Sequence, residues 1–175
     1  QSKTYRVLYP EGLDSLAKKY LISLELLNEP VSQNLGFLPN QTSKKKFPVI
    51  LHPYSVQSNG LVTTSPWRME LNTTPLAYKP ESTPWMLHLS LHEARHVAQM
   101  QYGNDGWRKY FRYPFGDLAA GAFDIIYCGP VAFEGDAVVA ETALTGQGRG
   151  RSADFLEYMR ACFVQGETRD YWQWR

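Results

Sequence analysis

The segment His92–Glu93–Ala94–Arg95–His96 sets two imidazoles four residues apart, with a carboxylate beside the first. On a helix, residues four apart lie about 40° from one another around the axis, so both rings can point at one ion. Zinc accepts imidazole nitrogen at about 2.0–2.1 Å and fills four positions. Glu93 sits next to the first ligand and cannot readily bind the same ion. It can reach a water held there, which is where a general base for hydrolysis belongs. Zinc draws the pKa of such a water toward about 7. The chemistry to expect is therefore attack of water on a carbonyl, with Glu93 taking the proton and passing it to the leaving amine. The implied cofactor is one Zn2+ ion, and the implied partner is a peptide or protein substrate.

A third ligand must come from elsewhere in the chain. The histidines are His52, His88, His92 and His96, and none follows His96. Gln99 and Tyr102 stand where a longer motif carries Gly and a third His. His88 shares the face of His92 one turn earlier, but three residues on successive turns of a straight helix cannot surround an ion tetrahedrally. It is expected to pack, or to support the ligands from behind. His52 closes a strand and is expected to be structural. Carboxylates remain: Asp117, Asp124, Glu134, Asp136 and Glu141. Glu134 is the first choice, because it opens an apolar helix (EGDAVVAET) whose small residues allow a second helix to come close. The alternative for Glu134 is a helix N-terminal acid interacting with the dipole. Glu141 is two turns further on the same face. One of the pair can ligate while the other orients a histidine.

These residues need a helix with a sheet before it. Thr83 followed by Pro84 is a capping hydroxyl with proline at the first helical position, and Gly103 is a natural stop. A helix over about Pro84 to Tyr102 is predicted. Upstream, Thr4–Tyr9, Phe47–His52 and Leu61–Leu71 read as strands, with Ser58, Asn59 and Gly60 as a turn. Asp14 is expected to cap a helix whose stripe is Leu16, Ala17, Tyr20, Leu21, Leu24 and Leu27. Pro30 breaks or kinks it, and Val31–Phe37 could continue it. Pro39–Lys46, with three consecutive lysines, is expected to be a solvated loop. Downstream, helices are predicted over Val131–Leu144 and Asp154–Phe163, joined by a loop at Gln147–Ser152. Strands with one helix come first, then helices only, which points to an α+β fold. The expectation is a single domain, with an α/β part at about 1–103 and a helical part at about 104–175.

A length of 175 residues suits one domain, and 43% hydrophobic with 20% charged residues excludes disorder over the whole chain. Eighteen basic residues against 17 acidic ones leave a net charge of +1, so no electrostatic case exists for nucleic acid as a partner. No apolar run reaches the length of an integral membrane segment. Cys128 and Cys162 are too few for a disulfide framework and leave one bridge or two thiols open. Aromatics make up 14% of the chain, and Trp67, Trp85, Trp107, Tyr110, Phe111 and Tyr113 offer an alternative function as a glycan-binding platform. The Asn-x-Thr sequences at Asn40 and Asn72 are taken as chance. The chain opens on Gln1, which fits removal of a signal segment and a secreted, periplasmic or cell-surface protein. Trp172 and Trp174 near the end suggest that the natural chain continues.

The motif at His92–His96, with Glu134–Gly135 opening a later helix, resembles the gluzincin zinc metallopeptidases of the thermolysin-like superfamily. The stretches LHEARHVAQ and FEGDAVVAET are similar to secreted peptidase-like domains of Bacteroidetes-type bacteria. The likeness runs from about Phe47 onward. It implies a zincin-like fold with His92, His96 and Glu134 as ligands and Glu93 as base. It also implies an edge strand at about Gly60–Leu71, running along the cleft to pair with an extended peptide. The chain departs from the pattern in three places. Val138 stands where an orienting Asp is usual, so Asp136 or Glu141 must take that role. Ala132 and Phe133 precede Glu134 where Trp is frequent. No late His is present to stabilise an oxyanion, which leaves Tyr158, Arg149, Arg151 and Tyr171 as candidates. A module that keeps zinc but binds a peptide or partner without cleaving it is the alternative these departures keep open.

Overall fold

A computed structural model of the protein describes residues 1–35, 45–75, 83–103, 110, 113–116, 118, 122, 126, 129–167, 169–170 and 173. The N-terminal elements are β1 (Tyr5–Leu8), α1 (Asp14–Leu27), α2 (Pro30–Gln33), β2 (Phe47–His52), β3 (Gly60–Thr64) and β4 (Trp67–Asn72). The long helix α3 (Trp85–Gly103) follows. Then come α4 (Pro130–Thr145), one turn of 3-10 helix at Arg149–Arg151, and α5 (Glu157–Val164). The fold is α+β, with a small mixed sheet in the order β1-β2-β4-β3. β1 and β4 run parallel to β2, and β3 runs antiparallel to β4.

The alternation of apolar residues decides which sheet face is covered. Val49, Leu51, Val62, Met69 and Leu71 are buried, and they form one cluster with Tyr5, with Ala17, Tyr20 and Leu24 of α1, and with Leu89, Leu91, Ala94, Val97 and Ala98 of α3. The stripe expected on α1 is the one that packs. From His88 to Ala98 every residue of α3 is buried, so this helix is enclosed on all sides. The sheet and α1 flank it, and α2 and α4 close the rest.

Several expectations are corrected. The stretch read as one strand, Leu61–Leu71, is a hairpin turning at Ser65–Pro66. Pro66 brings no N–H to a ladder, and a run of Val and Thr conceals such a break. Only the first half, β3, is an edge strand, and its first residue is Gly60, which was expected in the turn. Asp14 is the first helical residue, and its carboxylate accepts the Tyr9 hydroxyl at 2.8 Å where a cap was expected. The last helix starts at Glu157 rather than Asp154, and the helix after Pro30 ends at Gln33. Asn40 and most of the lysine-rich loop lie outside the described residues, as do Trp107, Phe111, Asp117, Asp124, Cys128, Tyr171, Trp172 and Trp174. Cys162 is buried as a free thiol.

Candidate metal centre

Two helices build the site. α3 carries His92, Glu93 and His96. α4 begins with Pro130 at its first position and presents Glu134 and Glu141. It ends at Gly146, which takes the left-handed conformation (φ 68°) and returns its N–H to Thr142. The chain then folds back on α4. A Cβ at Gly148 would meet the Thr142 backbone nitrogen at 2.8 Å, and one at Gly150 would meet the Thr142 hydroxyl at 2.6 Å. The two missing side chains let Arg149 lie down against the helix.

His92 Nε2 and His96 Nε2 are 3.1 Å apart. Glu134 brings one oxygen to 3.2 Å from His92 Nε2 and the other to 3.5 Å from His96 Nε2. All of these donor atoms fall within 4.8 Å of one another. Ligands of a tetrahedral zinc lie about 3.3 Å apart, so the spacing fits one ion. The two rings are buried, whereas the Glu134 side chain is 61% exposed.

The far side of each ring fixes its tautomer. His92 Nδ1 is 2.5 Å from Glu141 Oε1, so it donates there and leaves Nε2 with a lone pair. Arg149 Nη2 stands 2.7 Å from the same Nδ1, but both are donors, and the carboxylate they share accepts from both. His96 Nδ1 donates to Gln99 Oε1 at 2.8 Å, and the ring stacks on Phe133. Two lone pairs and a carboxylate thus converge with no proton between them, a donor set that a divalent cation satisfies.

Electrostatics follow the same plan. Burial opposes the charge on Glu141, but hydrogen bonds from His92 and Arg149 outweigh it and lower its pKa to about 2. Burial raises Glu93 to about 7, with His92 pulling it down and Glu134 pushing it up. Burial, then the neighbouring His92, lowers His96. Glu93 is 3% exposed, and its Oε2 has no hydrogen-bond partner among the described residues.

The other sequence candidates fall into place around this centre. His88 stacks on Trp85 and brings Nε2 to 3.7 Å from Glu141, behind His92. His52 pairs with Glu70 at 3.0 Å on the sheet. Asp136 holds Arg95 at 2.7 and 2.8 Å and Gln99 at 2.6 Å, and Gln99 in turn meets His96, whose charge also acts on Asp136. Arg149, named for an oxyanion, bonds Glu141 through Nε and Nη2 on the Nδ1 side of His92, away from Nε2. Tyr158 is exposed with the Arg169 guanidinium over its ring, and Arg151 is exposed on the 3-10 turn. Trp85 donates to the Asn72 carbonyl, and Trp67 packs edge-on against Phe47.

Two residues of the centre escaped the sequence. Gln99 is three residues after His96, hence on its face one turn later, and that spacing was the available signal. Arg95 is 1% exposed and ties α3 to Asn34 (2.5 Å), to the Val31 carbonyl and to Asp136. A lone arginine in a helix reads as solvent-facing, so no pattern announces this role. No protein-family model matches the chain, and neither does any curated protein or solved structure.

Proposed function

We propose that the protein is a gluzincin-like zinc peptidase, with His92, His96 and Glu134 holding the ion and Glu93 acting as general base. The observation that carries this reading is the convergence of the three ligand groups within 4.8 Å, next to a buried carboxyl oxygen of Glu93 that has no hydrogen-bond partner among the described residues. Two imidazoles and a carboxylate, with a position left open, are the donor set of hydrolytic zinc sites. When bound, zinc supplies a Lewis acid that acidifies water and polarises a carbonyl. Glu93 receives the proton of the attacking water at its carboxyl group and delivers it to the leaving nitrogen. Glu141 and Gln99 hold the Nδ1 protons of the two rings, so each Nε2 keeps its lone pair throughout. Among the described residues the outer edge of β3 is unpaired, and it offers an extended peptide a ladder to join.

Metal analysis of the purified chain, followed by mass-spectrometric digestion of a mixed peptide library, tests the reading. The expected result is one zinc per chain, with cleavage lost to a chelator and restored by zinc. Zinc without cleavage would leave a zinc-bearing binding module. A chain with no affinity for divalent ions would end the proposal.

A further inference from the structure

We propose that Gly60 is the positioning residue for Glu93, and that the empty side-chain position at the start of the edge strand is the seat of the base's carboxyl group. A Cβ on Gly60 would stand 2.5 Å from Glu93 Cδ and 2.6 Å from Cγ, and nearer still to Oε1. Real Cβ atoms do not approach so closely, so the strand backbone and the carboxyl group already share a contact surface.

Conformation does not explain the glycine. Gly60 pairs with Leu71 in the β3–β4 ladder, and its φ is not among the left-handed ones. An L-residue would adopt this backbone, and glycine in a strand weakens it. Space is what remains. Glu93 sits on a helix enclosed on all sides and is almost wholly buried. Its carboxyl group cannot retreat to water. Among the described residues Oε2 has no partner, so no hydrogen bond to that oxygen holds the group either. The wall of β3 at residue 60 therefore sets where the carboxyl group stands relative to His92 and His96. Any side chain there pushes it off that position. The catalytic consequence rests on Glu93 being the base; the packing consequence does not.

The test is a double-mutant cycle on the full-length, zinc-loaded protein with Gly60→Ala, Glu93→Ala and the pair, read by melting temperature, zinc stoichiometry and peptide-cleavage kinetics. Gly60→Ala alone should lower the melting temperature by roughly 4 °C. In the Glu93→Ala background the same change should be neutral or stabilising, because only the strand preference remains. Zinc should stay at one per chain throughout. In kinetics Gly60→Ala should lower kcat by about 10²-fold, the scale of an ångström-sized misplacement, with KM nearly unchanged. An equal fall in melting temperature in both backgrounds would overturn the proposal, as would unchanged kcat and melting temperature in Gly60→Ala. If Gly60→Ala fails to fold, recovery in the double variant supports it and continued failure refutes it. If the wild type cleaves no peptide, the function above fails, and the melting cycle still decides whether residue 60 seats the carboxyl group.

Discussion

The two sides of α3 are built on opposite principles. Toward the sheet and α1 it meets Val49, Leu51, Met69, Leu71, Tyr20 and Leu24, an apolar layer held by area removed from water, with the Glu93 carboxyl group set against Gly60 at the edge strand. Toward α2 and α4 it meets Glu134, Asp136, Glu141 and Asn34, with Arg149 folded in from the turn beyond. His92, Arg95 and His96 face these groups, and burying such side chains is costly unless each has a partner. In the apolar layer each truncation costs its own contacts and the cavity it leaves. The polar layer works in pairs, so that removing one member strands another. One side gives the enclosed helix rigidity, and the other carries its buried charge.

The comparison can be broken at four points, starting with the largest effect. Glu93→Gln should keep zinc and lose about 10²–10⁴-fold in peptide cleavage, because it removes a proton acceptor and leaves the ligands alone; steady-state kinetics beside metal analysis shows it, and wild-type turnover would refute the base. Arg95→Met should cost about 3–5 kcal/mol in urea unfolding, since Asp136, Asn34 and the Val31 carbonyl all lose their cation. Adding Asp136→Leu should return part of that loss, and simple additivity would mean that the pair is not coupled. On the apolar side, Leu24→Ala should cost about 2–5 kcal/mol through its cavity, with zinc stoichiometry untouched. A change in metal content there would dissolve the contrast between the two sides. Gln99→Leu should weaken zinc binding by about 10–100-fold while the fold persists, because the His96 Nδ1 proton loses its acceptor; competition with a chromogenic chelator measures it.

The same contrast explains what could be read without coordinates. Helices announced themselves where local rules act: the stripe from Leu16 to Leu27, Thr83 and Pro84 ahead of α3, and glycine at the end of α3. The β2 boundaries were legible because FPVILH is a buried run with no competing period. The hairpin at Ser65–Pro66 was not, since each half alone is a short run of strand formers and only pairing tells one strand from two.

What the amino-acid order determined by itself is the pairing of His92 with His96, because a four-residue spacing on any helix puts two rings on one side. It also determined that Glu134 and Glu141 share a face of their own helix. Only the tertiary structure decided that α4 lies against α3 so that Glu134 meets both rings, that Arg149 backs Glu141, and that Asp136 serves Arg95 and Gln99. Those contacts join residues from eight positions apart, Arg149 and Glu141, to 42 apart, Glu134 and His92. Local periodicity does not fix them, because they depend on how the apolar faces of whole elements settle together. Gly60 is the sharpest instance: its residue type is visible in the chain, and the reason for it is the glutamate that folding brings to it from another element.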